Sequence, residues 1–184
     1  MRIRLLIALV SVFVASCAGG VKDLPPLVSA ADTAYRLGAG DSLQIIVYGE
    51  TDLTGSYKVA DSGLVAMPLV GAVPAAGKSL DQFRQGLVDR LRASAIKSPD
   101  VTVSISEYRP FFILGEVKTP GSYAYVPNMT VLTAVAIAGG FTFRAAEDEV
   151  SVTRTKEGKS QEARAARDSR VLPGDVIYVF ERHL

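Results

Sequence analysis

Cys17 is the only thiol in this sequence of 184 residues and His183 the only imidazole, so nucleophilic and metal chemistry have few places to reside. One cysteine excludes an intrachain disulfide, and one histidine excludes a zinc centre built on several imidazoles. His183 stands one residue from the C-terminus, where the third group that a Ser-His-Asp triad needs could not hold it. Gly77-Lys78-Ser79 has the ending of a phosphate-binding loop. The preceding glycine, Gly71, is separated from Gly77 by five residues where the loop requires four, and Pro74 removes one of the amides a phosphate cradle uses. Gly158-Lys159-Ser160 has no partner glycine. Glu147, Asp148 and Glu149 are adjacent, so their side chains diverge, and they read as a solvated loop. Asn128-Met129-Thr130 is a glycosylation sequon in form only. No catalytic residue, cofactor or metal-ligand set is assigned.

The setting of Cys17 is more specific. Arg2 and Arg4 precede an apolar run from Leu5 to Ala15, broken only by Ser11. Eleven helical residues rise about 16 Å, half the hydrocarbon thickness of a bilayer, so the run cannot span one. A basic flank, a short apolar stretch and small residues form a secretory signal. Val14-Ala15-Ser16-Cys17 matches the lipobox of bacterial lipoproteins, in which the cysteine thiolate takes a diacylglyceryl group and the preceding peptide is removed. Cys17 is therefore the expected lipidation site, with residues 1–16 as signal peptide. Two or more acyl chains give stable anchoring at about 0.8 kcal/mol per buried methylene. Ala18, rather than Asp, follows the cysteine, which by resemblance to lipoprotein sorting implies the outer membrane, facing the periplasm. Cleavage would leave 168 residues with a side-chain charge of −1.

Composition removes further functions. Twenty basic residues against nineteen acidic leave a formal charge of +1, with no basic stripe for nucleic acid. A hydrophobic fraction of 48% against 21% charged argues against disorder. The length suits one domain or two small ones.

Residues 17–34, with Gly19-Gly20 and Pro25-Pro26, show no sustained period and read as a lipidated linker, order beginning near Tyr35. Leu43–Tyr48, Tyr57–Ala60 and Leu64–Pro68 read as strands, with Asp61-Ser62-Gly63 turning between the last two; Gly71 and Gly77 bracket another extended piece. Ser79-Leu80-Asp81-Gln82 has the form of a capping box. Leu80, Phe83, Leu87, Val88 and Leu91 follow at helical spacing, and Ser98-Pro99 is expected to end that helix. Val101, Val103 and Ile105 alternate with polar residues as a half-buried strand. Tyr108-Arg109-Pro110 marks the seam between modules at 35–107 and 108–184. Beyond it come strands at Phe111–Val117 and Ser122–Val126, joined by a tight turn in which Gly121 supplies positive φ. Thr130 caps a helix, Val131–Ala138, apolar on nearly all sides and expected to be buried, and Gly139-Gly140 stops it. Strands at Val150–Arg154 and Gln161–Ala165 precede a last one, Val176–Phe180.

One internal echo runs through this order. Leu37-Gly38-Ala39-Gly40-Asp41 and Val171-Leu172-Pro173-Gly174-Asp175 each precede a strand. Glycine permits positive φ and the Asp carboxylate can accept from nearby amides. Gly40, Asp41, Gly63, Gly71, Gly121, Gly139, Gly140, Gly174 and Asp175 are thus candidate structural turn positions, the aspartates structural rather than catalytic.

Three stretches together resemble the outer-membrane polysaccharide export family, auxiliary lipoproteins typified by capsule exporters. They are Tyr35-Arg36-Leu37-Gly38-Ala39-Gly40-Asp41 with its strand; Val59 to Gly71 with Gly77-Lys78-Ser79-Leu80 and Pro99-Asp100-Val101-Thr102-Val103; and Val117-Lys118-Thr119-Pro120-Gly121-Ser122-Tyr123, Ala138 to Thr142, and Leu172 to Ile177. The third set is similar to the SLBB module. The resemblance implies an α+β chain, a small polysaccharide-export domain followed by a β-grasp (SLBB) domain. It further implies a homo-oligomeric ring around an aqueous passage, a polysaccharide substrate, and an inner-membrane co-polymerase as partner. Long members carry further SLBB copies and a C-terminal amphipathic helix. None is seen here, so a separate outer-membrane β-barrel partner is expected. A monomeric carbohydrate-binding or sensing lipoprotein is the alternative, and an enzyme acting on envelope polysaccharide is disfavoured by the lack of clustered acids and of a usable histidine.

Overall fold

A computed structural model describes residues 21–27, 35–94, 96–156 and 158–182. Cys17, His183 and the signal sequence lie outside the described residues. Two modules follow one another, each with its own apolar core.

The first module is built on a three-stranded antiparallel sheet, β1 (Ser42–Val47), β2 (Gly55–Lys58) and β5 (Val101–Glu107), with β1 in the centre. A separate hairpin, β3 (Leu64–Met67) and β4 (Gly71–Pro74), pairs Val65 with Val73. Helix α1 (Leu80–Ala93) carries the capping box legible in the sequence. The Ser79 hydroxyl accepts from the Gln82 amide at 3.2 Å and the Gln82 side chain accepts from the Ser79 amide at 3.0 Å. Its apolar stripe buries Phe83, Leu87, Val88 and Leu91 with Leu43, Ile45 and Val65. The helix ends at Ala93, ahead of the proline expected to stop it. Ser94 caps it instead, its hydroxyl donating to the Arg90 carbonyl at 3.0 Å.

The second module is a five-stranded mixed sheet in the order β7-β6-β10-β8-β9, formed by β6 (Phe111–Gly115), β7 (Gly121–Tyr123), β8 (Ala145–Lys156), β9 (Lys159–Ala165) and β10 (Val176–Glu181). The last strand runs parallel to β6, pairing Ile177 with Ile113, and antiparallel to β8. Helix α2 (Val131–Ile137) contributes Val131, Ala134 and Val135 to a core with Phe111, Ile113, Val150, Val152 and Ile177. The fold is α+β in both halves.

Five expectations need correction. Order does not wait for Tyr35: Val21–Asp23 forms a 3-10 turn packed against β8, and Pro26 bridges Arg164 in parallel. The Leu27 amide donates to the Arg164 carbonyl at 2.7 Å and the Arg164 amide to the Pro25 carbonyl at 2.8 Å. Helix α2 is not buried all round, since Leu132 and Ile137 are exposed; an apolar side is not a buried one when no element lies over it. Gly121 does not take positive φ; it opens β7 opposite Ile113, so the turn is made by the residues before it. Glu147, Asp148 and Glu149 lie on β8 rather than in a loop, held there by Arg167 and Lys22. Finally, β6 stops at Gly115, whose φ of 83° places its Cα against the Val179 carbonyl, too close for any side chain.

Candidate functional site at the two Gly-Asp turns

The two echoed segments fold into the same turn. In each, the Asp amide donates to the carbonyl three residues back: Asp41 to Gly38 at 3.2 Å and Asp175 to Leu172 at 3.1 Å. In each, the carboxylate accepts in return from the amide of that same residue, Gly38 at 2.8 Å and Leu172 at 2.7 Å. Gly40 and Gly174 stand before the aspartates at φ 93° and 86°, a conformation that costs an L side chain about 1–2 kcal/mol. Each turn then launches a strand, β1 or β10.

Both carboxylates are buried, and each has an arginine. Arg154 from β8 grips Asp175 with two bonds, Nε to Oδ1 at 2.9 Å and Nη2 to Oδ2 at 2.7 Å, a bidentate fork that fixes geometry as well as charge. Asp41 is held by Arg109, whose amide donates to Oδ1 at 3.0 Å and whose Nη1 donates to Oδ2 at 3.2 Å. The Tyr35 hydroxyl donates to Asp41 Oδ2 at 2.6 Å. Four donors converge on the Asp41 carboxylate, three on Oδ2 and one on Oδ1, and all four belong to the turn and the seam around it. Desolvation, then the bond to Asp41, push the Tyr35 phenol well above its ordinary range.

Arg109 lies between the turns. A Cβ on Gly38 would collide with its guanidinium, and one on Gly174 would lie 2.8 Å from its Nε. The neighbouring Pro110 carbonyl accepts from the Gly174 amide at 3.0 Å. One residue at the seam therefore touches the turn of each module. Beside it, Tyr35, Tyr108 and Tyr125 stack edge to face at 5.1 and 5.3 Å, lining a cleft of about 200 Å³ with Asn128 and Arg170.

Of the other turn positions, Gly63, Gly71, Gly139 and Gly140 adopt positive φ away from this junction. Among the described residues no group of His, Cys, Asp or Glu could hold a metal ion, and no helix is long and apolar enough to cross a membrane. The aspartates were visible as an echo in the sequence. Their arginines were not, because 68 residues separate Arg109 from Asp41 and 21 separate Arg154 from Asp175.

Two domain families match the chain on either side of Arg109: Polysaccharide biosynthesis/export protein over residues 29–106 and SLBB domain over residues 110–163. The chain belongs to the outer-membrane polysaccharide export family, with one domain of each kind. Relatives of this export family protein include the exopolysaccharide production protein ExoF of Rhizobium meliloti, 36% identical over 118 residues, or 58% of this chain and 28% of the relative. The EPS I polysaccharide export outer membrane protein EpsA of Ralstonia nicotianae is 31% identical over 164 residues, 74% of this chain and 42% of the relative. The polysialic acid transport protein KpsD of Escherichia coli is 29% identical over 108 residues, 58% and 19% respectively. The chain thus spans less than half the length of these relatives.

Proposed function

We propose that this export-family chain is a lipid-anchored outer-membrane subunit whose copies associate side by side into a periplasmic conduit. Through it capsular or exopolysaccharide would pass from an inner-membrane co-polymerase toward the cell surface. The observation that carries the reading is the pairing of an export domain and an SLBB domain, pinned together at Arg109, in a chain whose relatives are named for polysaccharide production, export or transport. The function is confinement rather than turnover, in keeping with two buried aspartates whose oxygens are taken up by structural donors.

Lateral association has material to work with. Strands β2, β5 and β7 are sheet edges, which pair readily with another chain, and head-to-tail contacts close into rings when the rotation closes. Phe112, Leu114 and Tyr178 leave an apolar stripe exposed on adjacent strands β6 and β10.

Deletion of the gene tests the reading, with periplasmic polymer accumulating while its synthesis continues; unchanged secretion overturns it. The second reading, a monomeric carbohydrate sensor, is favoured by the tyrosine-lined cleft, since aromatic edges with an amide and a guanidinium suit a sugar ring. Native mass in mild detergent separates the two: a large closed assembly supports the conduit, a monomer the sensor.

A further inference from the structure

The tyrosine-lined cleft beside Arg109 takes its walls from both modules: Tyr35 from the first, Tyr108 from the seam, and Tyr125, Asn128 and Arg170 from the second. Around it, charge is balanced except at one point. The buried Asp41 and Asp175 carboxylates are matched by Arg109 and Arg154. Arg170 has no such acid. Among the described residues its guanidinium makes no ion pair and one hydrogen bond, from Nη1 to the side-chain oxygen of Asn128 at 2.9 Å. Nε and Nη2 of Arg170, the amide nitrogen of Asn128 and the Tyr108 hydroxyl therefore have no hydrogen-bond partner among those residues.

From this juxtaposition we infer that the seam cleft binds one acidic pyranose unit, its carboxylate on Arg170 and its ring among the tyrosines. A guanidinium holding spare donors suits a carboxylate, which it can grip with two bonds. The three half-buried rings stand at 81° and 67° to one another, offering faces to the C–H side of a sugar. The Asn128 amide and the Tyr108 hydroxyl serve its hydroxyls. Drug-sized ligands fill about 300–1,000 Å³; a cleft of about 200 Å³ takes a single ring. That an anion binds here follows from Arg170 alone, whereas the choice of a sugar to carry it rests on the export reading.

The test is saturation-transfer NMR on the full chain in mild detergent, which reads bound ligand whatever the size of the assembly. The probes are the methyl glycosides of glucuronic, galacturonic and N-acetylneuraminic acids, with neutral methyl glucoside and the flat acid benzoate as controls. At least one acidic sugar is expected to bind about tenfold more tightly than either control. Arg170→Gln should erase that preference, and Tyr108→Leu should weaken acidic and neutral sugars alike, both variants being checked for an unchanged melting temperature. Absence of binding by all three acids, a neutral sugar or benzoate binding as well, or a preference that survives Arg170→Gln in the folded chain overturns the site and leaves the conduit standing. Unchanged secretion after gene deletion would overturn the conduit, while the predicted binding would still uphold the cleft.

Discussion

The backbone amide and the guanidinium of Arg109 both donate to the carboxylate of Asp41, at 3.0 and 3.2 Å. Asp41 is fully buried, whereas the Arg109 side chain keeps 25% of its exposure. The acid is therefore the member of the pair that cannot turn to water when its partner is lost. Replacing Asp41 by Asn keeps the shape but loses the charge and turns one acceptor into a donor facing other donors. The expected loss is about 2–4 kcal/mol, toward the lower end of what breaking a buried pair costs. Asp61→Asn, in an exposed turn, should change stability by less than about 0.5 kcal/mol. Urea denaturation reads both, and equal midpoints for the two variants would refute the account of Asp41.

Gly38 is a different kind of position from Gly40. Its φ is not in the left-handed region, so alanine is allowed by the backbone and refused only by the Arg109 guanidinium. Gly38→Ala and Arg109→Ala should accordingly be non-additive. The double variant is expected to be more stable than the sum of the single losses implies, with a coupling of about 1–3 kcal/mol. Additivity within experimental error would show that the arginine does not occupy that space.

The Tyr35 phenol has a raised pKa through desolvation and its bond to Asp41. A raised folded-state value means that the folded chain keeps its proton where the unfolded chain loses it, so the contribution is complete below about pH 10 and is lost above it. Stability should fall more steeply with pH above 10 in the parent than in Tyr35→Phe, by at most about 1.4 kcal/mol per pH unit and by less where water reaches the ring. Parallel alkaline limbs in the two proteins would rule this out.

Leu69, at the tip of the β3–β4 hairpin, has φ 64° and is 73% exposed. A bulky residue in the left-handed region costs about 1–2 kcal/mol, partly offset in a glycine variant by the greater entropy of its unfolded chain. Leu69→Gly should raise the unfolding free energy of the isolated subunit by up to about 1 kcal/mol, measured by thermal melting at low concentration. A destabilised variant would mean that the leucine side chain holds the tip in place.

Local chemistry was legible where it acts over a few residues. The Ser79 capping box, the alternating β5 and the two Gly-Asp turns all rest on neighbours within four positions, and their geometry follows from residue type. What could not be read is what depends on the return of distant chain. The segment Val21–Leu27 carries two adjacent prolines and has no period of its own; its order is borrowed from the edge of β9. Helix α2 is apolar on nearly every side, which cannot tell a buried face from one awaiting a cover. Arg109 was marked as lying at the seam because a new run of strands starts there, but nothing local names Asp41 as its partner. Gly121 shows the reverse failure, a Pro-Gly pair that suggests a left-handed residue where the strand had already begun.

A guanidinium wedged between the corners of two modules leaves the molecule without a waist at which to bend. Opening the angle there would part the Asp41 carboxylate from both donors of Arg109, so the pairing opposes bending at the seam. In the conduit proposed above, widening or narrowing would then fall to the joints between copies rather than to the seam within one.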